Sequence, residues 1–212
     1  MEEKDLFYKT IKQYGEGEIL EKKSRFLAKI YPVESEEAAL EILEKIKKQY
    51  WDARHNCYAY VIGKKGEVVR CSDDGEPSGT AGRPMLEVLQ KEEVKNVLAV
   101  VTRYFGGVLL GTGGLVRAYT QATQEGLKNA GVCEMALMSV QKIVTDYNAI
   151  GKIKYVLGNL NVEILSEEYT HEVILQVAVE LLQKGKLEKE LTEVTNGKVV
   201  MEEVEVSFFP KK

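Results

Sequence analysis

A β-rich apolar run at residues 94–102, continuous from Val97 to Val101, leads through Gly106, Gly107, Gly111, Gly113 and Gly114 into a segment where Leu115, Ala118, Tyr119, Ala122 and Gly126 share one helical face. No other feature constrains the fold as much. A run of that composition is a buried strand, and glycines placed directly after it permit a tight turn and a close helix–sheet approach that side chains would block. The chain must therefore mix α and β structure. Its 212 residues, 44% apolar and 29% charged, suffice for a sizeable core. No apolar run approaches the roughly 20 residues of a membrane span. The start, Met1-Glu2-Glu3-Lys4-Asp5, lacks the basic-then-apolar order of a secretory signal. We expect a cytoplasmic protein with no membrane role.

The remaining pattern predicts a hairpin over 18–30 and a helix starting at Ser35, where a hydroxyl and two following acids suit a helix N-terminus. A second hairpin turns at Gly63-Lys64-Lys65-Gly66. The long loop 72–84 precedes a short helix at 85–90, and the helix after the glycines stops at Gly131. Beyond that point the order is strand 135–145, helix 147–157 capped by Asp146, strands 162–165 and 171–179, helix 182–194 and strand 198–208. This βαββαβ order is ferredoxin-like. Charge changes at the same place: residues 1–133 hold 20 Lys/Arg and 20 Asp/Glu, residues 134–212 hold 9 and 13. The expected domains are 1–132 and 133–212.

Free amides at a helix start attract anions, and an arginine fork matches phosphate oxygens. The glycine segment flanked by Arg103 and Arg117 therefore suits a phosphate-sized site. The glycines serve equally well for a tight turn and close packing, and both readings stand at this stage. The segment is not a Walker A loop, because no Lys-Ser/Thr follows Gly111, nor a dinucleotide fingerprint, because position 116 is Val. His55, in Asp52-Ala53-Arg54-His55-Asn56-Cys57, is the one histidine of the first domain, with Cys71, Ser72, Asp73, Asp74 and Ser78 as candidate neighbours. Asp73 and Asp74 could position Mg²⁺; alternatively, the acids of that loop pair with arginines or cap residues 78–80. Cys57, Cys71 and Cys133 lack zinc-site spacing and read as reduced thiols. With a net charge of −4, a polyanion partner needs a local basic patch.

Four blocks carry a resemblance: Ser24-Arg25-Phe26, residues 52–57, residues 72–82, and Arg103-Tyr104-Phe105-Gly106-Gly107 through Gly114-Leu115-Val116-Arg117-Ala118. Together they resemble the YigZ/IMPACT family, in its bacterial two-domain form. The resemblance implies an α+β protein. Its first domain would be a two-layer α/β domain of the type found in a small-subunit ribosomal protein, ribonuclease PH and domain IV of elongation factor G. Its second would be ferredoxin-like, as in domain V of that factor. It also implies a link to translation or RNA.

The expectation is thus a non-catalytic RNA- or ribosome-binding protein that regulates translation. It would read phosphates through Arg25, Arg54, His55, Arg83, Arg103, Gly106, Gly107, Gly111, Gly113, Gly114 and Arg117, with no cofactor and no metal. The alternative is an enzyme acting on a phosphorylated small molecule or nucleotide, with His55 as acid/base and Asp73 or Asp74 in support. A phosphate-containing ligand fits either.

Overall fold

A computed structural model describes residues 5–211. The protein is mixed α+β, with two five-stranded sheets and, among the described residues, five α-helices. The strands are β1 (Phe7–Ile11), β2 (Gly15–Glu21), β3 (Ser24–Pro32), β4 (His55–Ile62), β5 (Val68–Ser72), β6 (Val97–Tyr104), β7 (Val132–Thr145), β8 (Glu163–Tyr169), β9 (Val173–Glu180) and β10 (Val200–Pro210). The helices are α1 (Glu36–Gln49), α2 (Gly82–Lys91), α3 (Gly111–Ala130), α4 (Ile150–Asn159) and α5 (Lys184–Val194). Two compact units result, one of Tyr8–Glu134 and one of residues 135–211 with Leu6 and Phe7.

In the first unit the sheet order is β2-β3-β6-β4-β5, antiparallel throughout. Phe26, Ala28, Cys57, Ala59, Ala99 and Val101 face α2 and α3, meeting Met85, Leu89, Leu115 and Tyr119. Tyr60, Ile62, Leu98 and Val100 face the other way and meet Ala39, Leu43 and Ile46 of α1. The expected two-layer domain is therefore corrected to three layers. The reason is in β6, where successive apolar residues point to opposite faces and both need cover. α1 starts as expected, with the Ser35 hydroxyl accepting from the Ala38 amide at 3.2 Å. β2 and β3 are joined by Lys22 and Lys23, both in the left-handed region at φ 47° and 68°, the backbone pair that twists a two-residue turn correctly. Backbone meets backbone where α3 crosses β2: a Cβ on Gly15 would lie 2.4 Å from Ala130 N, and one on Gly17 2.5 Å from Gly126 N.

The second sheet has the order β1-β7-β9-β8, with β10 also paired to β7, and the β10–β7, β7–β9 and β9–β8 ladders are antiparallel. α4 and α5 both cover the face formed by Ile143, Val173, Leu175, Val177 and Val179. This is the expected βαββαβ succession. α4 starts three residues later than predicted, because the Asp146 carboxylate accepts from the amides of Asn148 and Ala149, both at 2.8 Å, and holds a turn ahead of the helix. β1 was absent from the sequence reading. Its five residues carry no clean alternation, and its pairing is set by distant partners: Lys9 bridges Val94, and the Leu6 carbonyl accepts from the Leu137 amide.

Candidate functional site

His55 pairs with Arg103 across the β4–β6 ladder, and Arg25 pairs with Tyr104 across β3–β6. One end of the first sheet therefore collects the start of β4, the end of β6 and the Lys22–Lys23 turn. After Tyr104 the chain runs through residues 105–110 into α3. A cleft of about 440 Å³ opens here, lined by Arg54, His55, Glu76, Arg103, Phe105, Leu109, Leu110, Gly111 and Thr112 among others.

Arg103 anchors the cleft from within. Its side chain is 7% exposed and pairs with Glu76, itself 3% exposed, through Nη1 to Oε1 at 2.7 Å. The same Glu76 oxygen accepts from the Tyr119 hydroxyl at 2.8 Å. The guanidinium carbon lies 5.4 Å from the Phe26 ring centroid and 5.6 Å from that of Phe105. Its Nε is buried and has no hydrogen-bond partner. An unsatisfied buried donor is costly. Arg103 is thus corrected from a surface clamp to an internal ion pair with one donor left over.

The start of α3 supplies further donors. Its N-cap is Leu110, no side chain caps it, and its first turn holds no acid. Arg117 reaches back over this turn, since a Cβ built on Gly113 would meet its Nη1 at 3.7 Å. Gly107 and Gly111 take φ of 83° and 72°, which a side chain would strain. Gly106 serves packing: a Cβ there would lie 2.0 Å from the Lys23 carbonyl carbon, and its amide donates to Ser24 Oγ at 3.2 Å. The glycines thus serve the turn at Gly107 and Gly111 and close packing at Gly106.

The acidic loop is consumed by its own backbone. Asp73 accepts from the amides of Gly79 (2.8 Å), Ala81 (3.0 Å) and Gly82 (2.9 Å), which fixes the loop and caps α2. Burial alone would raise its pKa, but these amides hold the carboxyl below its usual range. Asp74 accepts from the Asn56 amide at 2.7 Å and pairs with Lys47 at 3.4 Å. Both carboxylates of the enzymatic alternative are thereby committed to structure. Among the described residues no group of His, Cys, Asp and Glu is arranged to hold a metal. His55 does line the cleft; its Nδ1 donates to the Asp74 carbonyl at 2.9 Å, which leaves Nε2 as the acceptor nitrogen. Cys57 is buried, its thiol donating to the Asp73 carbonyl (3.0 Å) and to the Tyr119 hydroxyl oxygen (3.3 Å) as alternative partners, and burial pushes its thiol well up, which disfavours the thiolate.

Of the other arginines, Arg54 is exposed on the cleft rim, Arg25 pairs with Glu18 at 2.5 Å, and Arg83 pairs with Glu87 at 3.1 Å away from the cleft. The expected pairing of the loop's acids with arginines is met by Glu76 and Arg103, but sequence reasoning named neither this particular pair nor the Tyr119 hydroxyl beside it. A tyrosine in an apolar helical stripe needs a polar contact, which was the available signal. A roomier cleft of about 770 Å³ lies in the second unit among Met138, Leu160, Glu163, Glu180 and Lys211, where two carboxylates and one cation suit no polyanion.

The same blocks decide the family. Residues 22–127 match the Impact N-terminal domain and residues 143–198 match a domain of unknown function, DUF1949. The chain belongs to the IMPACT family. It is 45% identical over 204 residues to IMPACT family member YvyE of Bacillus subtilis, covering 96% of this chain and 94% of that protein. It is 34% identical over 186 residues to IMPACT family member YigZ of Escherichia coli, covering 87% and 91%. Protein IMPACT of Mus musculus is 39% identical over 98 residues, 44% of this chain and 30% of that one. A solved crystal structure of a hypothetical protein is similar at 30% identity and a TM-score of 0.59, covering 94% of this IMPACT-family chain and 98% of the other. No described helix is long and apolar enough to cross a membrane.

Proposed function

We propose that this IMPACT-family chain is a non-catalytic RNA-binding protein that acts on the ribosome in the regulation of translation, holding phosphates at one end of its first sheet. One observation carries the reading. Cations without an ion-pair partner among the described residues, Lys22, Lys23, Arg54 and Arg117, gather with the uncapped start of α3 at that end, while the acids Asp73 and Glu76 are turned inward. A unit with balanced charge thereby presents a positive end, which is what a polyanion partner requires. Kinship with domains IV and V of elongation factor G, which the sequence motifs imply, points the same way, although a fold supplies no function by itself. The enzymatic alternative pairs His55 with Asp73 or Asp74, and both of those carboxylates are engaged by backbone amides.

The test is co-sedimentation of the purified protein with ribosomes and separated subunits at low and moderate salt, beside an Arg54→Ala/Arg117→Ala variant. Both side chains are exposed, so the variant should fold normally. Salt-sensitive binding that the variant loses is the expected result. No binding at either salt contradicts the reading and turns attention to a phosphorylated small molecule, to be sought by thermal shift.

A further inference from the structure

The sole tryptophan of the chain is 81% exposed. Aromatic side chains of this size are usually covered, so a near-fully exposed indole calls for a partner. Trp51 stands on a fixed support. The turn between α1 and β4 is closed by the Ala53 amide donating to the Tyr50 carbonyl at 3.0 Å, and the neighbouring Asp52 carboxylate accepts from the Tyr104 hydroxyl at 2.9 Å. That second bond ties the turn to the last residue of β6, directly before Phe105, which is 46% exposed and lines the cleft. The exposed Lys48 precedes Trp51 on α1 and the exposed Arg54 follows it. Exposed aromatic rings thus stand beside cations that have no ion-pair partner among the described residues, at the sheet end where phosphates are proposed to bind.

We infer that the RNA taken by this surface is single-stranded, with an unpaired base stacked on Trp51 while its phosphates lie toward Arg54 and the α3 start. The inference rests on the reading above and narrows its partner. A duplex keeps its bases stacked on one another and offers only backbone and groove to a side chain, whereas a single strand can lay a base on an indole. Stacking of this kind tolerates any base, so sequence selectivity should be slight. Because the support is held by hydrogen bonds, little ordering is left to be done on binding.

The intact protein is titrated with a single-stranded RNA of about 12 nucleotides and with the corresponding duplex, a length within the span that one such surface covers. Affinity is read by anisotropy of labelled RNA and stacking by the emission of Trp51, which reports alone because no other tryptophan is present. Single strands should quench Trp51. Trp51→Ala should weaken single-strand binding about tenfold and leave duplex binding unchanged, with Trp51→Phe recovering most of the loss. Circular dichroism of each variant checks folding. Single-strand binding with unchanged emission and an indifferent Trp51→Ala overturns this inference and leaves the proposed function standing. Equal loss of duplex and single-strand binding in Trp51→Ala also overturns it. Binding of neither RNA form contradicts the proposed function itself.

Discussion

Arg103 and Glu76 form a pair that holds only if both partners are present. Taking one away leaves a charge in a site almost closed to water, so Glu76→Ala should lower unfolding stability by about 3–5 kcal/mol, read as an earlier urea midpoint. Replacing both by apolar residues should restore most of that. If Glu76→Ala costs less than about 1 kcal/mol, the pair is not the brace described here. Asp73 gives a pH signature. Its folded-state carboxyl titrates below the unfolded one, so its contribution is complete above about pH 4 and is lost as pH falls through the lower folded value. Asp73→Asn should therefore destabilise the protein at neutral pH and flatten its acid-unfolding limb, measured as midpoint against pH. At this scale the sequence singled out Arg54, His55 and Gly111, which line one cleft, and Arg117, which lies over the first turn of α3. It could not tell Arg103 from them, because whether an arginine is paired inward depends on Glu76, 27 residues away, and no local pattern encodes that.

Elements were more legible than residues. The Ser35 start, the hairpins and the stop at Gly131 follow from capping and turn chemistry that act over a few positions. The third layer follows from the continuous apolar stretch of β6, which needs cover on both faces, but which helix supplies that cover is seen only where α1 lies against Leu98 and Val100. Glycines divide the same way. Gly17 lets β2 touch the α3 backbone, so Gly17→Ala should cost roughly 2–3 kcal/mol through overpacking. Gly158, in the last turn of α4, meets nothing within 4 Å of an added Cβ, and Gly158→Ala should gain roughly 0.5–1 kcal/mol. Thermal melts of the two variants separate a packing glycine from a neutral one; equal shifts in the same direction would contradict the assignment.

For the whole molecule, the account depends on how charge is distributed, since the net value of −4 argues against any polyanion. The first unit turns Asp73 and Glu76 into loop and core bonds and leaves Lys22, Lys23, Arg54 and Arg117 outward at one end. Binding there should be driven by counterion release and should weaken as salt rises. The most direct measurement is the affinity for single-stranded RNA as a function of salt, for the protein and for a variant with Ala at those four positions. A steep negative dependence of log affinity on log salt is expected, made shallower in the variant by up to about 3, close to 0.7 for each phosphate contact removed. A slope near zero, or one that the four substitutions leave unchanged, would contradict it.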